Sequence, residues 1–385
     1  MKSYRRYIRL LLAVILVESL LFLLFNVVVD PYGVINSPVI SRVNRLKPEI
    51  NNHVMLYKAV AVTRIKPKVI FLGSSRTEFG LDPKHPVFAN STSTYNLALT
   101  GANIYPAMRY FKHAIANQPN LQQVVIGIDL FMFSNLSEIP SDFSEARLDR
   151  ETIVPLDAVN VIFSLDAFQA SRDTIDINKK DSKSIGYFYP DGRRDERYYV
   201  KHVYENKPTP VIFKEVINKN HFRAPEEDKN YQVSNSLLSN FKTIVTICQQ
   251  RNIDLKILIS PSHATEWEAL RVRGLWPIFE QWKREIVKIV PVWDFSGYNS
   301  ITTEAIGNNM KNYIDNSHYR KEVGDLVLNR IFNYNEESVP ADFGVLLTPE
   351  NIESHLAKIR DDREIWAKNN PDVVQFVLNL KPSSK

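Results

Sequence analysis

The run LLLAVILVESLLFLLFNVVV, residues 10–29, constrains this chain more than any other feature. Its 20 residues, at about 1.5 Å each in a helix, match the roughly 30 Å hydrocarbon core of a bilayer. Glu18 is the only charged residue within it. An ionised carboxylate at mid-bilayer costs about 3 kcal/mol, which the surrounding Leu, Ile, Val and Phe side chains offset. A secretory signal peptide is the other reading, but its apolar core would be shorter, and no small-x-small cleavage site follows the run, which ends in VVVDPYGVI. The expectation is an uncleaved signal anchor seated in the lipid bilayer. Residues 1–9, MKSYRRYIR, carry four basic side chains and read as a cytoplasmic tail, since positive charge holds that end inside. The body is then expected to face the periplasm or cell exterior.

Residues 30–65 read as a linker, interrupted by Pro31, Pro38 and Pro48. Beyond it, short continuous apolar runs alternate with stretches of helical period. KVIFLGSS (68–75), TYNLAL (94–99), QQVVIGIDLF (122–131), DLKILISP (254–261) and PVWDFSG (291–297) are the expected strands. Residues 104–118, 236–252, 276–290 and 318–332 are the expected helices between and after them. Apolar strands alternating with helices imply an α/β fold with a parallel sheet covered on both faces. Residues 132–235, rich in Asp, Arg, Lys, Tyr and Pro, break this rhythm and read as an inserted lid or substrate-binding subdomain. Residues 336–385, with a helix expected at 349–369, read as a C-terminal helical appendage whose charged faces are solvated.

Composition narrows the function classes. Cys248 is the single cysteine, which excludes an intramolecular disulfide and a Cys-rich metal site. The net charge of +5 is spread along the chain, which argues against a nucleic-acid-binding face. There is no phosphate loop, dinucleotide fingerprint or zinc pattern, so no cofactor is expected.

The strand VIFL runs into Gly73, Ser74, Ser75 and Arg76. Strand ends of this kind carry the sites of open α/β sheets. A serine hydroxyl attacks only when a base takes its proton, and that base needs an orienting group. YIDNSHYRKEVG (313–324) offers both, with Asp315 and His318 three residues apart at the start of the closing helix. The simpler reading of that stretch is a helix cap by Asp315 or Ser317.

Strand–Gly-Ser-Ser followed by a late Asp-x-x-His resembles the SGNH (GDSL-type) hydrolase superfamily. The resemblance implies a flavodoxin-like three-layer domain over residues 66–335, with 132–235 inserted and a transmembrane helix before it. It implies that Ser75 is the nucleophile, His318 the base and Asp315 its orienting acid, with the N–H groups of Ser75 and Gly101 (in NLALTGAN, 96–103) as the oxyanion hole. One motif departs: Asp129, in GIDL (127–130), stands where the family has an oxyanion-binding asparagine. Arg76 is expected to pair with it in bidentate fashion. His263, just past a strand end, reads either as a second base or substrate contact or as an ordinary loop histidine. Asp294 either orients a histidine or caps a turn. Arg193 and Arg194 read either as ligands for an anionic polymer or as solvated lid charges, and Tyr189, Tyr198 and Tyr199 either as sugar platforms or as packing. The anchored chain is similar to the membrane branch that assists O-acetylation of alginate and related exopolysaccharides and D-alanyl transfer to teichoic acids. That implies an acyltransferase or esterase working on an envelope or exported polysaccharide, with a membrane-bound acyl-donor protein as partner. The alternative is an SGNH-fold binding or assembly factor that has lost turnover, which Asp129 favours.

Overall fold

A computed structural model describes residues 2–90, 93–148, 162–180 and 186–382. The chain divides into two compact units, Met1–Arg64 with Ser144–Tyr187, and Ile65–Phe143 with Phe188–Lys385. The segment expected as one insertion (132–235) is therefore shared between them, and its residues 149–161 and 181–185 lie outside the described residues.

In the first unit, the helix Lys2–Val29 is long and apolar enough to cross a membrane. Its apolar side chains as far as Leu21 stand mostly exposed. Residues 30–64, read from the sequence as part of a linker, pack onto its end. Asp30 accepts the backbone N–H groups of Ile35 (3.0 Å), Asn36 (3.1 Å) and Ser37 (3.4 Å) and pairs with Lys47 at 2.6 Å. The helix Val54–Ile65 buries Val54, Met55, Leu56 and Val60. Pro31 lies in a turn and Pro48 opens the short 3-10 helix Pro48–Asn52, while Val34 and Leu46 between them are buried.

The second unit is built on a six-stranded sheet in the order β2-β1-β3-β4-β5-β6. Its strands are β1 (Val69–Leu72), β2 (Thr94–Asn96), β3 (Gln123–Ile128), β4 (Asp254–Ile259), β5 (Val292–Asp294) and β6 (Val345–Leu347). The first five are parallel, and β6 pairs antiparallel to β5. Side chains alternate across each strand. Val69, Phe71, Val125 and Leu258 pack with Val323, Val327 and Leu328 of the closing helix Lys321–Phe332. Ile70, Leu72, Val124 and Ile126 point the opposite way and are equally buried, with the helix Asn235–Gln250 packed against β4. Both faces are covered, as continuous apolar strands require.

Residues beyond 336 contribute more than an appendage. They supply β6, a three-residue strand within PADFGVLLTPE that carries no periodic signal. The helix Ile352–Asn369 does not merely hold solvated charges. Arg360 pairs with Glu280 at 2.6 Å and Arg363 with Glu268 at 2.7 Å.

Strand order reverses at β1: β2 lies on one side and β3 on the other. The carboxyl ends of β1 and β3 therefore open a crevice, the usual ligand position in such sheets. Leu97 and Leu99 donate to the carbonyls of Phe71 (2.8 Å) and Gly73 (2.9 Å), which carries the loop after β2 alongside the same end.

Candidate functional site

Ser74 and Ser75 begin the short helix Ser75–Gly80 directly after β1. Gly73 makes that turn possible. Its φ is +141°, and a Cβ there would lie 2.4 Å from Thr77 Oγ1 and 2.6 Å from the Gly127 carbonyl of β3. Ser74 is the N-cap, with its Oγ accepting the Arg76 N–H at 3.3 Å and donating to Asp129 Oδ2 at 2.7 Å. Its hydroxyl is thus committed to the protein, whereas Ser75 lines an open cleft of about 960 Å³.

Asp315 and His318 do not lie on the closing helix, which starts at Lys321 with Arg320 as its N-cap. They sit in a tight loop held by a Tyr313–Tyr319 bridge and by the Ile314 N–H donating to the His318 carbonyl at 2.9 Å. Asp315 Oδ1 accepts the N–H groups of Ser317 (2.7 Å) and His318 (2.9 Å), so the carboxylate shapes the loop instead of capping a helix. Its Oδ2 is 2.7 Å from His318 Nδ1, and His318 Nε2 is 2.8 Å from Ser75 Oγ. The structure thus brings Ser75, His318 and Asp315 into one hydrogen-bonded chain. Tyr204 also donates to Asp315 Oδ2. Burial alone would raise the Asp315 carboxyl, but the adjoining His318 and the hydrogen bonds from His318, Tyr204 and the Ser317 N–H hold it below its usual value. In this arrangement the imidazole has Nδ1–H fixed toward the carboxylate and Nε2 turned to the hydroxyl, as proton abstraction needs.

Arg76 meets Asp129, but not as a fork on that residue alone. Nη1 donates to Asp129 Oδ1 at 2.8 Å, Nη2 to Glu266 Oε1 at 2.5 Å and Nε to Ser317 Oγ at 3.0 Å. The guanidinium bridges two buried carboxylates because Glu266, on the helix Ala264–Val272, enters from the far side. Burial would weaken the Arg76 charge, yet the two carboxylates outweigh it and raise its pKa. Burial likewise would raise Glu266, and His221 with Arg76 instead drives it well below its usual value. Glu266 Oε2 accepts from Asn316 Nδ2 at 2.6 Å and lies 2.8 Å from His221 Nε2.

Gly101 lines the same cleft with φ +69°, and a Cβ there would meet nothing within 4 Å. Among the described residues, no protein acceptor takes the backbone N–H of Ser75 or of Gly101. Arg194 also lines the cleft and is buried, unlike the solvated lid charge that its surroundings in the sequence suggest. Its Nη1 is 2.9 Å from Thr100 Oγ1 and 3.5 Å from Glu78 Oε2, and its guanidinium lies 4.5 Å from the Tyr199 ring centre. Arg193 stacks 4.3 Å from the Tyr189 ring centre. The segment YPDGRRDERYY is anchored to the sheet, with the Asn96 N–H donating to the Asp191 carbonyl at 2.8 Å.

His263 is not brought to the serine. It caps the helix Ala264–Val272, with Nδ1 accepting the Thr265 N–H at 3.2 Å and Nε2 2.7 Å from the Glu304 carbonyl. Both ring nitrogens are used within the fold, and burial lowers its pKa from 6.5 to about 4. The unfolded chain therefore binds a proton that the folded chain refuses between those values, and stability falls as pH falls through that window. Acidifying from about pH 7 to about pH 5 is expected to remove about 2 kcal/mol through this residue. Thermal midpoints measured across that range check it: His263→Asn should flatten the decline. Asp294 does orient a histidine, but that residue is His355 (2.8 Å), with Lys283 at 2.6 Å on the same carboxylate. His355 lies on the helix Ile352–Asn369 and Lys283 on the helix Trp276–Ile289, and neither lines the cleft that holds Ser75.

Tyr204, Glu266 and His221 are the site residues that sequence reasoning missed. Glu266 follows the end of β4 closely and was open to detection, had ATEWEALRV been read as a helix. Tyr204 is 111 residues from Asp315, and no local spacing connects them. No protein-family model and no curated protein matches this chain.

Proposed function

We propose that this protein is a serine acyltransferase or esterase of SGNH type, acting on O-acetyl or related acyl groups of an envelope or exported polysaccharide. The observation that carries the reading is the unbroken chain Ser75 Oγ–His318 Nε2 (2.8 Å) and His318 Nδ1–Asp315 Oδ2 (2.7 Å), whose Ser75 and His318 line the cleft. The parallel order β2-β1-β3-β4-β5 supports a doubly wound, flavodoxin-like core. The exposed apolar helix Lys2–Val29 supports a single-pass anchor with the body outside the cytoplasmic membrane.

In the proposed reaction Ser75 Oγ attacks the acyl carbonyl as its proton passes to His318 Nε2. Asp315 stabilises the imidazolium through Nδ1–H. The N–H groups of Ser75 and Gly101 receive the oxyanion. Collapse of the tetrahedral intermediate releases the alcohol, which takes the proton from His318, and leaves an acyl ester on Ser75. A polymer hydroxyl or water then attacks that ester, with His318 again as base. The acyl group reaches the site from a membrane-bound donor protein or from the polymer itself.

A second reading keeps the fold as a polysaccharide-binding or assembly factor without turnover. It is favoured by Asp129, whose carboxylate replaces an oxyanion-donating amide and is held by Arg76 at 2.8 Å. Incubating the full chain with a fluorophosphonate separates the two. An enzyme is expected to give a covalent adduct located by mass spectrometry on Ser75. An unlabelled Ser75 in folded protein supports the binding factor.

A further inference from the structure

Asn26 lies inside the apolar run yet is wholly buried. Its Nδ2 donates to the Ile162 carbonyl at 2.8 Å, and its Oδ1 accepts from Ser171 Oγ at 2.9 Å. A polar side chain on a membrane-crossing helix is tolerated where protein covers it, and here the cover is the helix Leu165–Lys180. That helix starts well up the N-terminal one. The Phe22 ring stacks on Phe168 (5.2 Å between centres) and meets Phe163 edge-on at 5.8 Å. It then runs outward, with Asn178 bonded to the N–H (2.9 Å) and carbonyl (2.8 Å) of Leu46. Phe22 precedes the helix end at Val29 by seven residues, about 10 Å of helix. The head of the second helix is carried that far back along the apolar helix.

At that head Phe163 is 51% and Leu165 80% exposed. Beside the C-terminal end of the N-terminal helix, Val39 is 69% and Ile40 42% exposed. Asn44 ties that loop down, accepting the Ile40 N–H at 2.6 Å and donating to the Val28 carbonyl at 2.9 Å. Large apolar side chains left bare together mark an interaction surface, and these adjoin the bare face of Lys2–Val29. We propose that Phe163, Leu165, Val39 and Ile40 form an apolar collar seated in the lipid bilayer around the exit of the N-terminal helix. The occupant is lipid because the collar continues a surface that is itself lipid-facing once the helix crosses the membrane. Its depth is set by charge: exposed Asp166 next to Leu165 must reach the headgroups, so the collar stops at the upper acyl region. Farther along the second helix, exposed Gln169, Arg172 and Asp176 belong to water.

The inference rests on the N-terminal helix being a span, and the test separates the two. Full-length protein in a Cys248→Ala background is reconstituted in vesicles of phosphatidylcholine and phosphatidylglycerol. A fluorescent, polarity-sensitive thiol label is placed by Phe163→Cys, Leu165→Cys or Ile40→Cys, with Leu16→Cys as the span reference and Gln169→Cys as the aqueous one. The collar positions are expected to be quenched by spin-labelled lipid, as at Leu16, and several-fold less by aqueous iodide than Gln169. Leu165 and Ile40 keep the result decisive should Phe163→Cys disturb its contact with Phe22. Lipid quenching at Leu16 with iodide quenching at all three collar positions overturns the collar and leaves the span. Iodide quenching at Leu16 as well overturns both.

Discussion

Ser75→Ala is expected to abolish covalent labelling by a fluorophosphonate and to lower ester turnover by roughly 10⁴-fold or more, because loss of a triad serine leaves only the oxyanion site and binding. The fold should hardly notice: among the described residues Ser75 Oγ bonds to His318 and otherwise lines the cleft, so the thermal transition should stay nearly in place. Ser74→Ala is the informative contrast. Ser74 is fully buried, caps the helix after β1 and donates to Asp129 at 2.7 Å. Losing that hydroxyl is expected to cost about 1–3 kcal/mol of stability while labelling of Ser75 persists. Labelling that survives Ser75→Ala and disappears with Ser74→Ala would place the nucleophile one residue earlier and refute the proposed register.

Arg76→Ala is expected to have the second-largest effect, and to act on stability and turnover together. The guanidinium is the cation shared by buried Asp129 (2.8 Å) and Glu266 (2.5 Å). Breaking a buried ion pair from one side costs about 3–5 kcal/mol, since the remaining charge stays desolvated. It also takes away one of the charges holding Glu266 below its usual value. In the wild type that depressed pKa contributes stability above the ordinary carboxylate range, which is lost as pH falls below it. In the variant this contribution shrinks, so its deficit should be largest near neutral pH and narrow on acidification. Denaturant midpoints at several pH values check this.

Asp129→Asn should be milder. Arg76 keeps Glu266 and Ser317, and an amide oxygen can still accept from Ser74. If the new amide reaches the oxyanion, hydrolysis of p-nitrophenyl acetate should rise on the order of tenfold. A deficit in Asp129→Asn as large as that of Arg76→Ala, or a double variant whose loss equals the sum of the two, would refute the coupling.

Much of the frame was legible from residues alone. The alternation of VIFL, VVIGI and LKILI with amphipathic stretches specified parallel strands, because each strand must be apolar on both faces to be covered twice. The pattern Gly-Ser-Ser after one strand, with Asp-x-x-His near the end, named the three side chains now found in a hydrogen-bonded chain. The apolar run 10–29 specified a helix able to cross a membrane. Each of these signals is local, with a period or spacing of a few residues.

Tertiary structure decided what depends on distant residues meeting. That Arg76 bridges Asp129 and Glu266 follows from where β1, β3 and the helix after β4 end, and their sequence separations of 53 and 190 residues hide it. Tyr204 reaches Asp315 for the same reason. The burial of Arg194, the capping role of His263 and the strand β6 all run against local polarity or lack of periodicity. A charge is solvated by default, and only packing with Glu78, Thr100 and Tyr199 makes Arg194 a cleft residue. The chain encoded its elements in short-range patterns, while the network around Ser75 exists only because chain reversals bring the strand ends together, where buried charges must find partners.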